Sequence, residues 1–397
     1  MTPHILVAGT ADTKGEELGF LAASIRDAGG HPIIADLGIG EPSIAVDISN
    51  RDIAAAYSPA LSLLATNDRG PAVTAMGEAF RKFCGAYNSC NAAIGIGGGG
   101  GTSMVAAGFR AFPIGFPKLI VSTMTSGNIA PYIDVSDIGM IYSVTDLAGL
   151  NRLSRRILKN AGFGIVGMAR AQQEELETRS VIGLSMFGVT TPCVTALVDT
   201  FKANHECLVF HSTGSGGRAM EKLVDSGMIS VLIDVTTTEI ADELCGGVLS
   251  AGPDRLGSLI RSGIPYIGSV GACDMVNFGP PETVPSKYKD RLFYHHNPQV
   301  TLMRTTPDEC RAIGHFIGEK LNQCRGSVHL LLPEKGVSML DDVGKAFFDP
   351  AADEVLFSTI EKTLIAKANR TCERLPYHIN APEFSAALVQ KSLPYLH

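Results

Sequence analysis

Short runs that are apolar throughout, each closed by glycine or small polar residues and followed by a helical pattern, recur along this chain and restrict its fold more than any other feature. A strand with one solvent face alternates apolar and polar side chains. A strand covered on both faces does not. Residues 5–8, 32–36, 92–96 and 118–122 are of the continuous kind, and so are 181–186, 207–210 and 230–234. Helical patterns at 16–28, at 69–87, from 102 to 109 and from Pro192 onward separate them. Strands of this kind joined by helices predict an α/β fold, with mostly parallel sheets flanked by helices.

The length of 397 residues is too great for one ordinary core and fits two domains. A helix is expected over 150–177, with a break at the glycines of 162–167. Its end turns strongly polar at 170–179, which places the junction between a domain at 1–177 and another at 178–397. Hydrophobic residues make up 45% of the chain, which excludes a disordered or fibrous protein. A net charge of -7 without a long basic run argues against nucleic acid. The nine cysteines form no CxxC pair, so reduced thiols and a cytoplasmic location are expected. No signal peptide and no membrane-spanning segment are expected either.

The candidate chemistry lies in the turns after the strands. Gly97, Gly98, Gly99, Gly100 and Gly101 stand between a strand and a helix. Glycines let a phosphate approach the backbone, and a helix start offers unpaired N–H groups and the positive end of its dipole. Thr102 would cap that helix or touch a phosphate. This run is neither a Walker loop nor a strict GxGxxG fingerprint. The turn after the first strand carries Asp12, Thr13 and Lys14. Asp12 suits a ribose hydroxyl or a metal, and Lys14 suits a phosphate. The bland reading is a capping box of Thr13 with Glu16. Asp36 ends the second strand, where nucleotide folds often place a ribose-binding acid.

The second half holds three comparable turns. One contains Thr190, one contains Gly214, Gly216, Gly217 and Arg218, and one contains Thr236, Thr237 and Glu239. Together they predict a second crevice for a small anion, with Arg218 gripping it. Asp234 and Glu239 would oppose an anion there, and Thr236 with Glu239 also fits a capping box. Asp274 lies between glycines. His295 and His296 are adjacent, without a third residue at ligand spacing, so no metal site is expected. His211 and His378 read as structural histidines.

GTADTKGEE, GIGGGGGTS, GVTTPCV, FHSTGSGGRAME, DVTTTEIADEL, GGVLSAGPDRL, GACDMVNFG, HNPQVTLMRTT and LPEKGVSMLD occur in that order. Over essentially its whole length the chain resembles the tomato mosaic virus resistance protein-like ATP-binding family, in its stand-alone bacterial form. The resemblance implies two Rossmann-like subdomains, a homodimer, and ATP, with or without Mg2+, in the first subdomain. The matching positions are Asp12, Thr13, Lys14 and Gly98 to Gly101, with Gly38 and Ile39 beside the nucleoside. It also implies a TIM-barrel partner protein, because plant relatives carry such a domain in the same chain. Two positions depart from the pattern. Ser212 replaces a frequent Ala, and Ala381 replaces a frequent Asp.

Two functions follow as expectations. One is a nucleotide-binding protein with a metabolic role. The other is an enzyme acting on a small carboxylate or sugar acid in the second crevice. There Arg218 would fix the carboxylate, and Asp274, Glu239 or His378 would move protons.

Overall fold

The computed structural model describes residues 2–64, 69–171 and 179–396. The chain divides into two units, Met1–Leu176 and Glu177–His397. The expected junction at 177/178 lies outside the described residues.

The first unit runs β1 (His4–Gly9), α1 (Ala11–Asp27), β2 (His31–Asp36), α2 (Asn50–Ala54), α3 (Ser58–Leu64), α4 (Arg69–Ala86), β3 (Ala92–Gly97), α5 (Gly99–Phe109), β4 (Lys118–Ser122), α6 (Ala130–Ile133), β5 (Gly139–Tyr142) and α7 (Arg152–Arg170). Its strands form one parallel sheet in the order β2-β1-β3-β4-β5. The unbroken apolar strands are explained by cover on both faces. Ile5 and Val7 of β1 pack with residues of α1 and α7, while Leu6 and Ala8 pack with residues of α4 and α5.

Four local expectations need correction. The turn expected at 10–15 is the first turn of α1, set off from the rest by a kink at Lys14 (φ -134, ψ 29). The Thr13–Glu16 capping box does not form, since the helix starts at Ala11 with Thr10 as an N-cap whose side chain bonds to no helix N–H. α5 likewise starts at Gly99 and not at Thr102, because the Thr102 N–H already donates to the Gly98 carbonyl at 2.8 Å. α7 passes without a break through Gly162 and Gly167. A Cβ on Gly162 would stand 3.0 Å from Ser24 of α1, so this glycine permits close helix packing. The part of the expected helix beyond residue 171 lies outside the described residues.

The second unit runs β6 (Val181–Met186), α8 (Thr191–Phe201), β7 (Glu206–His211), α9 (Ser215–Asp225), β8 (Val231–Thr236), α10 (Thr238–Cys245), α11 (Gly257–Ser262), β9 (Tyr266–Gly271), β10 (Met275–Phe278), β11 (Phe293–Asn297), β12 (Val300–Arg304), α12 (Pro307–Gln323), β13 (Val328–Pro333), α13 (Pro350–Thr363), β14 (Arg370–Leu375) and α14 (Pro382–Ser392). Six strands form a parallel sheet in the order β14-β13-β9-β8-β6-β7. Counted within the unit, its first three strands are arranged as in the first unit. A small antiparallel sheet, β10-β12-β11, follows β9 and has no counterpart in the sequence reading. Among the described residues no helix is long and apolar enough to cross a membrane.

Candidate functional site

In the first sheet the strand order reverses between β1 and β3, and the turns that follow these two strands flank one crevice. The cleft there is lined by Asp12, Thr13, Lys14, Ile39, Gly98, Gly99, Gly100 and Gly101, with Val73 and Met104 as apolar wall. Its free space is about 760 Å3, open mouth included.

The glycines divide into two kinds. A Cβ on Gly97 would stand 2.4 Å from the Thr102 nitrogen, so that glycine is needed for packing. A Cβ on Gly98, Gly99, Gly100 or Gly101 would meet nothing closer than 3.9, 3.9, 3.7 and 3.7 Å. None of these four has a positive φ. Neither packing nor backbone conformation within the unit explains them. They form the N-cap and first turn of α5, where no side chain caps the N–H groups. The result is a bare, positively polarised helix start facing an open cleft.

The opposite wall is acidic. Asp12 Oδ2 accepts from the Gly40 N–H at 3.0 Å, while its buried Oδ1 has no partner. A Cβ on Gly38 would fall 2.8 Å from this carboxyl, so Gly38 lets the chain after β2 fold over Asp12. The Lys14 ammonium donates to the Leu147 carbonyl, which leaves two of its three donors for a ligand. The Thr13 hydroxyl pairs with that of Thr10 at 2.7 Å.

Two expected ligand residues turn away from the cleft. Thr102 is fully buried, and its hydroxyl bonds to Ser122 at 2.7 Å and the Gly97 carbonyl at 3.1 Å. Asp36 is also buried, and its Oδ1 accepts from the N–H groups of Ala11 at 2.8 Å and Gly38 at 2.7 Å. Burial pushes its carboxyl above the ordinary value. Asp36 therefore braces the turn that carries Asp12.

The second crevice is built differently. Arg255, wholly buried, meets Asp234 at 2.8 Å, Glu239 at 3.0 Å and Glu221 at 3.2 Å. Glu239 Oε1 accepts from the N–H groups of Gly214 at 2.7 Å and Gly217 at 3.0 Å. The glycines here have internal reasons. Gly214 has φ +79, and a Cβ on Gly216 would stand 1.8 Å from the His211 carbonyl oxygen. The anion expected at this turn is replaced by the protein's own carboxylate. The Thr236–Glu239 capping box is absent, since Thr237 is the N-cap of α10 and makes no side-chain cap. Thr190 and Thr236 bond to each other at 2.7 Å. Arg218 is exposed on the first turn of α9.

Asp274 belongs to another buried group. Its Oδ2 accepts from the Ser338 hydroxyl at 2.7 Å, and its Oδ1 has no partner. Arg304 donates to Asp353 at 2.8 Å and lies 3.8 Å from Asp341. Burial pushes Asp274 up to about 7 and Asp353 to about 8. His378 Nε2 faces the Ser338 carbonyl at 2.9 Å, and its Nδ1 faces the Asn380 N–H at 3.1 Å. The His211 ring lies 5.3 Å from that of Phe187. Sequence reasoning missed Arg255, Glu221, Arg304, Asp341 and Asp353. The signal available was charge inside otherwise apolar segments. Among the described residues no group of three or more His, Cys, Asp or Glu is placed to hold a metal ion.

Residues 3–174 match the N-terminal domain of an uncharacterised protein family (UPF0261), and residues 179–396 match its C-terminal domain. The chain belongs to the UPF0261 family. A UPF0261 protein of Rhizobium meliloti is 57% identical over 97% of both chains. One from Clostridium tetani is 42% identical over 98% of both. The tomato (Solanum lycopersicum) ToMV resistance protein Tm-1 is 40% identical over 99% of this chain, which corresponds to 56% of its own length. The UPF0261 fold also gives Ala381 a place. It is the N-cap of α14, with extended backbone (φ -71, ψ 141) and no side-chain cap. An Asp there would accept a hydrogen bond from the first turn of α14.

Proposed function

We propose that this UPF0261 protein binds an adenine nucleotide in its first unit, in the service of a metabolic role. The observation that carries the reading is the set of four glycines at a helix start that neither packing nor φ requires, set on an open cleft. A phosphate chain would lie on the N–H groups of Gly99, Gly100 and Gly101, where a side chain would exclude it. Lys14 would add charge. Asp12 on the cleft wall would accept from a ribose hydroxyl. The preference for adenine rests on the motif resemblance. Mg2+ would arrive on the phosphates, with Asp12 the carboxylate of the cleft wall. The second-unit acids give no comparable support to an enzyme reading, because Glu239 and Asp274 are bound internally.

Calorimetry with ATP, with and without Mg2+, tests the reading. Saturable binding that Gly99→Val abolishes is expected. Unchanged affinity in that variant would overturn it.

A further inference from the structure

The small antiparallel sheet carries a groove that the nucleotide reading does not use. Cross-strand neighbours point to the same side of a sheet. The register pairs Phe293 with Met303 and His295 with Thr301, so these four share one face. Phe278 of β10 pairs with Thr301 and joins them. The chain between β10 and β11 covers this face. Prolines 280, 281 and 285 stiffen it, Thr283 donates to the Pro280 carbonyl at 2.7 Å, and the Tyr288 hydroxyl anchors it to the Cys245 carbonyl at 2.7 Å. Between cover and sheet lies a groove of about 590 Å3, counted with its mouth, lined by Val284, Pro285, Lys289, Phe293, His295 and Thr301 among others.

One atom in its floor is unexplained. Thr301 is 1% exposed, and its hydroxyl has no hydrogen-bond partner. A buried hydroxyl without a partner is costly and needs a reason. Lys289 and His295 stand at the rim, and Ser286 adds a hydroxyl. Among the described residues no carboxylate lines the groove. Each polar side chain of the wall can donate a hydrogen bond, and the remainder is apolar.

We propose that this groove binds a small carboxylate with an apolar body. The carboxylate sits between Lys289 and His295 and takes the Thr301 hydroxyl. The body lies on Phe293, Val284 and Pro285. A carboxylate is favoured over a phosphate because a dianion needs more cationic charge than one lysine supplies, and because half the lining is apolar. The site lies in a different unit from the nucleotide cleft, so either can fail without the other.

The test is calorimetry of the full chain against phenylacetate, isovalerate, benzyl alcohol and inorganic phosphate. The two carboxylates are expected to bind saturably, with benzyl alcohol and phosphate at least about tenfold weaker. Lys289→Ala should weaken phenylacetate about tenfold or more. Lys287→Ala, on the same segment but outside the groove, should change it less than about twofold. Thr301→Val keeps the shape of the residue, and should weaken phenylacetate without lowering the melting temperature. The proposal is overturned if phosphate binds and the carboxylates do not, if no carboxylate binds saturably, or if Lys289→Ala leaves phenylacetate affinity unchanged.

Discussion

Glu239 Oε1 lies 3.0 Å from the amide nitrogen of Gly217, and a β-carbon on Gly217 would stand 2.1 Å from the other carboxylate oxygen. The glycine turn after β7 is thus closed by a side chain from α10. Glu239→Ala removes the acceptor for two buried N–H groups and one of three partners of Arg255. It should cost about 3–5 kcal/mol. Glu239→Gln, which keeps an acceptor oxygen, should cost clearly less. Chemical denaturation of the three proteins checks the order.

Gly100 sits in the first turn of α5, where a β-carbon would make ordinary contact with Val73 at 3.7 Å. Gly100→Ala should raise stability by about 0.5–1 kcal/mol through helix propensity. The same change should weaken nucleotide binding. Denaturation and calorimetry on one sample separate the two effects, and a loss of both stability and affinity would show that the glycine serves the fold.

Asp36 provides a second separation. Asp36→Ala orphans two buried N–H groups and should cost about 1–3 kcal/mol for each. Asp36→Asn can keep both bonds through its amide oxygen, and should bind nucleotide as the parent protein does. A ribose-binding acid would behave oppositely, losing affinity in the Asn variant with stability intact.

Stability should fall as pH rises from about 5 to 8. Asp274 and Asp353 sit at about 7 and about 8, and burial also pushes Asp242 to about 7. These folded values lie above the unfolded one, so the folded state holds more protons across this window. The stability they contribute is complete below the unfolded value and is lost as pH rises through the folded values. His329, held low by burial, acts in the opposite direction as a single group. Melting temperatures at pH 5.5 and 8 measure the slope, and Asp353→Asn should flatten it.

Ala381→Asp should add about 0.5–2 kcal/mol by capping α14. A stabilised variant with unaltered ligand binding would show that an Asp at this position in relatives serves helix capping. No gain in denaturation midpoint would refute the capping account.

Strands β1 to β4 and β6 to β8 of the large sheets were legible from local apolar runs such as residues 5–8 and 181–186, whereas β5, β9, β13 and β14 were not read. The two glycine turns were not distinguishable by the same means. GIGGGGGTS and HSTGSGGR read alike, yet one faces open space and the other encloses Glu239, which lies 22 residues along the chain from Gly217. Helix starts were misplaced because glycine in a first turn reads as loop. The Thr236–Glu239 spacing read as a cap because spacing carries no direction, and the carboxylate was drawn away by Arg255 and the turn amides. The antiparallel sheet went unseen because β10 is only four residues long, β11 is mostly exposed and polar, and the His295–His296 pair drew attention to metal chemistry.

The strand order has a consequence for how the chain leaves the ribosome. β1 finds β2 soon after synthesis, His4 against His31, but its other edge pairs only with residues 92–95. Until those residues emerge, the nascent chain displays an apolar strand with one open edge, a surface that invites association. Chaperone dependence should therefore be greatest for truncated chains that stop before β3, and should drop once β3 is included.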